Sequence, residues 1–287
     1  MDSPFSIALA GGGCRAFWSL GVLEALRDEL PPVTEWAGVS AGAAMAALFL
    51  TGSSREVLSH FERATAANPR NFYPDRLLRG GRPFPHEAMY RAALELGLGG
   101  DDAFARLKAA PPLRLLQAYL DPGAPRWRTV TRGLWAYRQQ KRRGDLHGAD
   151  VPPPGIGWFA VTAQEASDAP ALIEAILASS ATPPITRAIE RDGRLLVDGG
   201  LVDNVPLRAL SPAAQAGCVL VLLTRDRHAG SAPVLHTATR LYLAPSRAVP
   251  VVKFDYTSPH LVRATFELGL SDGERWRSVV DQFAARG

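Results

Sequence analysis

The chain has 287 residues, 47% of them apolar and 21% charged, with a formal net charge of +4. That composition suits one compact domain spanning 1–287 and excludes a disordered chain, and its 26 glycines and 23 prolines fall in no low-complexity tract or internal repeat. Only Cys14 and Cys218 are present, which excludes a disulfide framework, and no C-x-x-C spacing exists to found a metal cluster.

The opening "MDSPFSIALA" has no basic region ahead of its short apolar run and so does not resemble a secretory signal. The longest uncharged apolar run, Ala41 to Leu50, falls far short of the roughly 18 to 20 residues that span a bilayer. A cytoplasmic protein is expected, soluble or in peripheral contact with a membrane.

The first predicted strand is Phe5 to Ala10, followed by the glycine corner "GGGCRA" and by helical spacing over Arg15 to Asp28. A short strand, Trp36 to Val39, ends at Ser40, and Ala41 to Leu50 continues as an Ala-rich helix. Strand, turn and helix thus occur twice, which argues for an α/β fold with a mostly parallel central sheet flanked by helices. From about 68 to 154 the pattern loosens into Pro- and Gly-separated helices, read as an inserted helical region. Order returns with a strand at 158–163, a helix over Ala171 to Ala178 and a hairpin turned by Asp192-Gly193 before Asp198. A buried strand follows at 218–224. "RLYLAP" and "VVKFDY" are predicted as further strands, and Ser271 with Glu274 makes a capping-box pattern ahead of a last amphipathic helix.

Two corners carry chemistry. "GGGCRA" fits a relaxed dinucleotide fingerprint, but Ser40 stands at the end of the second strand, where that fold needs an acid for the ribose. The second corner, "GVSAG", is G-x-S-x-G with Gly38, Ser40 and Gly42. Its physics is that of a nucleophile elbow, a serine lifted on a sharp strand-to-helix turn whose glycines remove obstructing side chains. The glycine corner ahead of it can aim backbone N–H groups at a carbonyl oxygen. None of His60, His86, His147, His228, His236 and His260 stands in a strand-end or turn setting that marks a base, and all six read as surface or loop residues. A carboxylate fits better: "RLLVDGG" brings an apolar strand to Asp198 at its C-terminal end, followed by Gly199 and Gly200, whereas Asp203 reads as structural.

The ordered set "GGGCRA", "GVSAG", "ASSATPP" and "DGGLVDNVP" resembles the patatin-like phospholipase family, from about Phe5 to Leu223, with 224–287 as a C-terminal extension. The resemblance implies a patatin-like fold and a lipid acyl hydrolase with a Ser–Asp dyad, Ser40 as nucleophile and Asp198 as base. It also implies an oxyanion hole from the amides of Gly11, Gly12 and Gly13, with Cys14 as a further candidate. Ala16 stands where most members carry glycine, as in the related cytosolic phospholipases. Ser179 to Pro183 is expected to line the site. No cofactor or metal is required, and the expected partner is a lipid substrate. Arg15 is a candidate contact for a substrate phosphate, and Cys14 reads as a small filler. Burial beside an apolar groove is expected to strengthen Asp198 as a base.

Three other readings stay open on the residues: a Ser–His–Asp hydrolase using His236 or His260, a non-catalytic lipid-binding protein, and a nucleotide-binding protein. Residues 126–143, "RWRTVTRGLWAYRQQKRR", hold seven cations and no acid among aromatics, a candidate peripheral membrane contact. No nucleic-acid partner is expected, since no recognised binding motif accompanies the cations.

Overall fold

The computed structural model describes residues 4–123, 129, 131, 133, 135, 139, 146–148, 151–225 and 233–285. A single mixed, mostly parallel sheet has its centre in β1 (Phe5–Leu9), flanked by β2 (Val33–Val39) and β7 (Cys218–Leu222), both parallel to it. Strand β3 (Leu113–Leu120) follows β2, and β9 (Arg240–Leu243) follows β7, again in parallel. Antiparallel strands finish the two sides. Those beyond β3 are β4 (Ile156–Thr162), β5 (Ile189–Arg191) and β6 (Arg194–Asp198), while β8 (Val234–His236) closes the other side.

The central strands are apolar on both faces because both faces are covered. Ile7, Leu9, Leu220 and Leu222 point into the larger core, beneath α1 (Phe17–Leu26), α2 (Ala41–Leu50), α3 (Ser54–Ala66), α5 (His86–Leu98) and α7 (Ala169–Ser179). Ala8, Ala10, Val219 and Val221 face a second core, closed by Val205, Leu210 and Ala214 of the 205–216 segment, which includes α8 (Pro212–Ala216).

The last helix, α9 (Pro259–Ala284), lies on α1 in close backbone contact. A Cβ on Gly21 would strike the Phe266 carbonyl, one on Gly269 the Trp18 carbonyl, and one on Gly273 would stand 2.7 Å from Ala25 Cβ. Beside this seam the Trp18 indole N–H donates to Asp272 Oδ2 at 2.8 Å, a buried bond that joins the two helices. The capping box expected at Ser271 is therefore in mid-helix. The helix begins at Pro259 after Ser258 and runs through Gly269 and Gly273, which serve the helix contact.

Two further expectations are corrected. The region 68–154 is not wholly helical: it holds α4 (Asp75–Leu78), α5 and α6 (Asp101–Ala109), but also β3, a central strand. "LRLLQAYL" carries no β-branched residue and is rich in helix formers, and sheet pairing on both edges overrides that propensity. "VVKFDY" forms no strand. Its backbone is satisfied elsewhere: Val251 N–H by Thr265 Oγ1, Lys253 C=O by Cys14 N–H, and Tyr256 N–H and C=O by Asn71 and Asn68. The Asp192-Gly193 hairpin forms as read, with φ of 51° and 71°, the left-handed pair of a type I′ turn.

Gly269→Ala tests the helix seam. Helix propensity alone would favour alanine by about 1 kcal/mol, whereas forcing α1 and α9 apart is expected to cost about 1–3 kcal/mol net. Urea unfolding of the variant should therefore show a loss; a gain would mean the two backbones have room to spare.

Candidate active site

Both corners lie at the C-terminal edge of the parallel strands, with Leu9 of β1 opposite Gly38 of β2. Ser40 adopts φ 54° and ψ −133°, a backbone state costly for a residue with a side chain. The glycines permit the turn. A Cβ on Gly42 would lie 2.5 Å from Leu9 O and 2.6 Å from Ala10 O, and one on Gly38 would lie 2.5 Å from Ala43 Cα. Ser40 is thus held at the N-terminus of α2, where the helix dipole favours negative charge.

Asp198 reaches Ser40 through β3. Residues 113–116 of β3 pair with β2 and residues 117–120 with β6, while β4 runs along 114–120. Since β4 takes one edge throughout, β2 and β6 share the other, and because they run in opposite directions their C-terminal ends meet head-on at Leu116 and Gln117. Ser40 follows the last residue of β2 and Asp198 is the last of β6. The Ser40 hydroxyl donates to Asp198 Oδ2 at 3.0 Å, both groups buried. Gly199 admits the junction, because a Cβ there would strike the Leu116 carbonyl and come within 2.9 Å of Val39 Cγ2.

Ser179 occupies the gap between the two strand ends. Its hydroxyl donates to Leu116 O at 2.6 Å and accepts the Ser40 N–H at 2.9 Å, so the serine's amide is committed to the scaffold. Asp198 is fixed in turn: its N–H donates to Ala181 O at 2.7 Å, and Oδ1 accepts the Gly200 N–H at 2.8 Å. Its surroundings are more polar than the sequence led one to expect. Besides Ser40, Oδ2 faces the Thr182 hydroxyl at 3.4 Å and the Lys253 ammonium at 3.9 Å.

The glycine loop abuts Ser40, since a Cβ on Gly11 would stand 3.2 Å from Ser40 Cβ. Gly11 is clamped on both sides of its peptide. Its N–H donates to Asn204 O at 3.2 Å, and its carbonyl accepts from Asn204 Nδ2 at 3.1 Å and from the Thr224 hydroxyl at 2.6 Å. The Cys14 N–H donates to Lys253 O at 3.0 Å. Among the described residues, the Gly12 and Gly13 amides alone of the four expected donors have no hydrogen-bond partner. Gly13 has φ 57°, and a Cβ there would strike the Lys253 carbonyl. Arg15 Nε donates to Gly12 O at 3.4 Å, along its own loop. Cys14 is a buried filler whose Sγ donates to Asp255 O at 3.2 Å, and burial, then the Asp255 charge, pushes its thiol pKa far up.

An apolar cleft lies at Ser40, walled by Phe17, Met45, Leu48, Phe61 and Leu94, with Lys253 and Thr182 beside Asp198. His86, expected at the surface, lines this cleft and is buried. Its Nε2 bonds Phe254 O at 3.0 Å and its ring lies 4.3 Å from that of Tyr256, while Nδ1 has no partner among the described residues. His236 sits on β8, at the far side of the sheet, against Phe283, and His260 is exposed. His228 and all seven cations of 126–143 lie outside the described residues. Among the described residues no group of three His, Cys, Asp or Glu is placed to hold a metal, and no helix is long and apolar enough to cross a membrane.

Sequence reasoning did not single out Asn204, Thr224 or Lys253, and it assigned Ser179 only to the lining. Asn204 follows Asp203, which ties its own loop and Gly148 together: Oδ1 accepts the Gly148 and Val205 amides, and Oδ2 pairs with Arg208. Lys253 carried no signal, because its place depends on a loop that read as a strand.

A family model described as patatin-like phospholipase matches residues 7–211, more than two thirds of the chain, and spans both corners, Ser179 and Asp198. The chain belongs to the patatin-like phospholipase family. No curated protein matches the sequence. Among solved structures, this patatin-like chain is similar to human GIVD cytosolic phospholipase A2, with 13% identity and a TM-score of 0.54 over 99% of this chain and 60% of that one. A second likeness is to VipD from Legionella pneumophila, with 10% identity and a TM-score of 0.42 over 97% of this chain and 67% of that one. The first likeness is one of fold, and the chain spans three fifths of the human protein it matches.

Two measurements check the site's construction. Ser179→Ala strips the Ser40 N–H and the Leu116 carbonyl of a shared partner, and leaving such buried groups unpaired is expected to lower unfolding stability by about 1–3 kcal/mol. His86 supplies a pH dependence. Burial lowers its pKa, outweighing the Phe254 carbonyl bond and the Asp255 charge that raise it. With the folded value below the unfolded one of about 6.5, the unfolded chain binds the proton first. Stability is then full above about pH 6.5 and falls as the pH drops towards the folded value. His86→Gln is expected to flatten that acid limb in melts taken from neutral pH downwards.

Proposed function

We propose that the chain is a lipid acyl hydrolase of phospholipase A or lysophospholipase type, working through an acyl-serine intermediate with a Ser40–Asp198 dyad. The reading is carried by one observation, the 3.0 Å hydrogen bond to Asp198 Oδ2 from the hydroxyl of Ser40, a residue that lines an apolar cleft. The family description supports an acyl ester as the substrate class.

In the first half-reaction Ser40 Oγ attacks the ester carbonyl and its proton passes to Asp198 Oδ2. The tetrahedral oxyanion is held by the Gly12 and Gly13 amides, the two that the scaffold leaves uncommitted. As the ester C–O bond breaks, Asp198 returns the proton to the leaving alcohol, and the acyl chain stays on Ser40 in the cleft. Water then attacks the acyl-serine, giving its proton to Asp198, which passes it back to Ser40 Oγ as the fatty acid leaves. The Gly200 amide fixes Oδ1 and so reserves Oδ2 for these transfers. A histidine triad has no comparable support, since the hydroxyl's bond goes to a carboxylate.

Ser40→Ala and Asp198→Asn are each expected to abolish turnover of a chromogenic acyl ester while leaving melting curves near wild type. Loss of the base should cost at least about 10²- to 10⁴-fold, and a fluorophosphonate should label the wild type and not Ser40→Ala. Near-normal turnover by folded Asp198→Asn would rule out the dyad.

A further inference from the structure

The rim of the cleft carries a surface that the chemistry does not use. Residues 71–84 form a loop whose two ends are tied to the cleft wall. Asn71 Oδ1 accepts the Tyr256 N–H at 2.9 Å, and Phe84 packs on His86 with ring centroids 6.0 Å apart. The loop is closed on itself by Tyr73 N–H to Pro83 O at 2.8 Å, and Arg82 reaches across to Pro184 O at 3.1 Å, next to the cleft residue Ile185. At its crown is the single turn α4, which buries none of its residues.

What that turn displays is unusual for a water-facing surface. Leu77 is 56% and Leu78 91% exposed, with Phe72 at 46%, and Val252, beside the cleft residue Lys253, at 67%. Adjacent exposed apolar side chains on a short loop mark a contact surface. Four arginines, Arg70, Arg76, Arg79 and Arg82, surround them against the one acid Asp75. Arg70, Arg76 and Arg79 make no ion pair among the described residues, and Arg76 stacks on the Tyr73 ring at 4.1 Å. The 68–84 segment thus holds +3 of a net charge of +4 for the whole chain.

We infer that this loop is the surface by which the protein docks on an anionic lipid bilayer, Leu77 and Leu78 entering the acyl region while Arg70, Arg76 and Arg79 meet the phosphates. The apolar tips account for exposure that water disfavours, the arginines select anionic headgroups, and the anchoring at His86 and Tyr256 sets the cleft opening against the lipid. The inference rests on the hydrolase reading for its purpose but not for its test. It is distinct from the basic stretch 126–143.

The test separates binding from turnover. Cosedimentation uses full-length protein carrying Ser40→Ala, so that lipid is not consumed, with vesicles of phosphatidylcholine alone and of equimolar phosphatidylcholine and phosphatidylglycerol. The paired change Leu77→Ser with Leu78→Ser is expected to weaken binding to the mixed vesicles by roughly tenfold or more. Arg76→Gln with Arg79→Gln should weaken it by about tenfold or more, from about fivefold per cation, and remove most of its salt dependence. With Ser40 restored, both pairs should hydrolyse a soluble ester at the wild-type rate and vesicle lipid more slowly. Four results would overturn the inference: no binding by the wild type; equal binding by both pairs; binding lost only on neutralising Arg138, Lys141, Arg142 and Arg143; or a dimer in sedimentation equilibrium that the Leu77/Leu78 pair dissolves. Absence of soluble-ester turnover would instead sink the hydrolase reading and leave the docking surface to be decided by cosedimentation.

Discussion

Strand β3 offers one edge to two strands that arrive from opposite directions, and the arrangement of the site follows from where they meet. Strand β2 takes the edge as far as Leu116, β6 takes it from Gln117 onward, and neither can continue without displacing the other. Two backbone ends are therefore left facing each other in a buried place. The gap contains groups that need partners, the Leu116 carbonyl and the Ser40 amide, and the Ser179 hydroxyl serves both. Strain at Ser40 persists because the close approach of Gly42 to Leu9 and Ala10 leaves the turn no easier path.

The second constraint comes from the opposite side of the sheet. The glycine corner after β1 has only the short 3-10 turn Gly13–Ala16 of its own, and it is fixed by groups from later in the chain: Asn204, Thr224 and the Lys253 carbonyl. These use the Gly11 and Cys14 amides and leave those of Gly12 and Gly13. That two of the four amides stay without a partner is thus a consequence of which ones the scaffold consumes. The same loop that carries Lys253 also fastens Tyr256 to Asn68 and Asn71. The cleft wall at Tyr256 and the glycine loop are held by neighbouring residues of one segment.

The parts legible in sequence were those written locally. G-x-S-x-G states its own backbone requirement, since only small residues fit at Gly38 and Gly42, and Asp-Gly at 192–193 states a turn. Asp198 could be read from the apolar strand that leads to it. What escaped was written non-locally. β3 looks helical in composition and becomes a strand because both its edges are paired. "VVKFDY" looks like a strand and is a loop because side chains and the glycine loop satisfy its backbone. His86 reads as a surface histidine, and aromatic packing buries it. Ser271 with Glu274 reads as a helix start and lies in mid-helix, between Gly269 and Gly273, whose local cost is outweighed by the contact they allow with α1.

The clamp on Gly11 has a bearing on how far the working unit extends. The region matched by the family model ends at residue 211, ahead of β7, Thr224, Lys253 and α9. A fragment cut at that boundary would retain every motif residue, Ser40 and Asp198 included. It would nevertheless lose the strand that pairs with β1 on one side, the hydroxyl that holds Gly11, and the carbonyl that occupies Cys14. The Cys14 amide would then join those of Gly12 and Gly13 without a partner, and α1 would expose the glycine and tryptophan that α9 covers. For this protein the unit that holds the two corners in place is longer than the matched region, and the boundary of that match is the wrong place to cut.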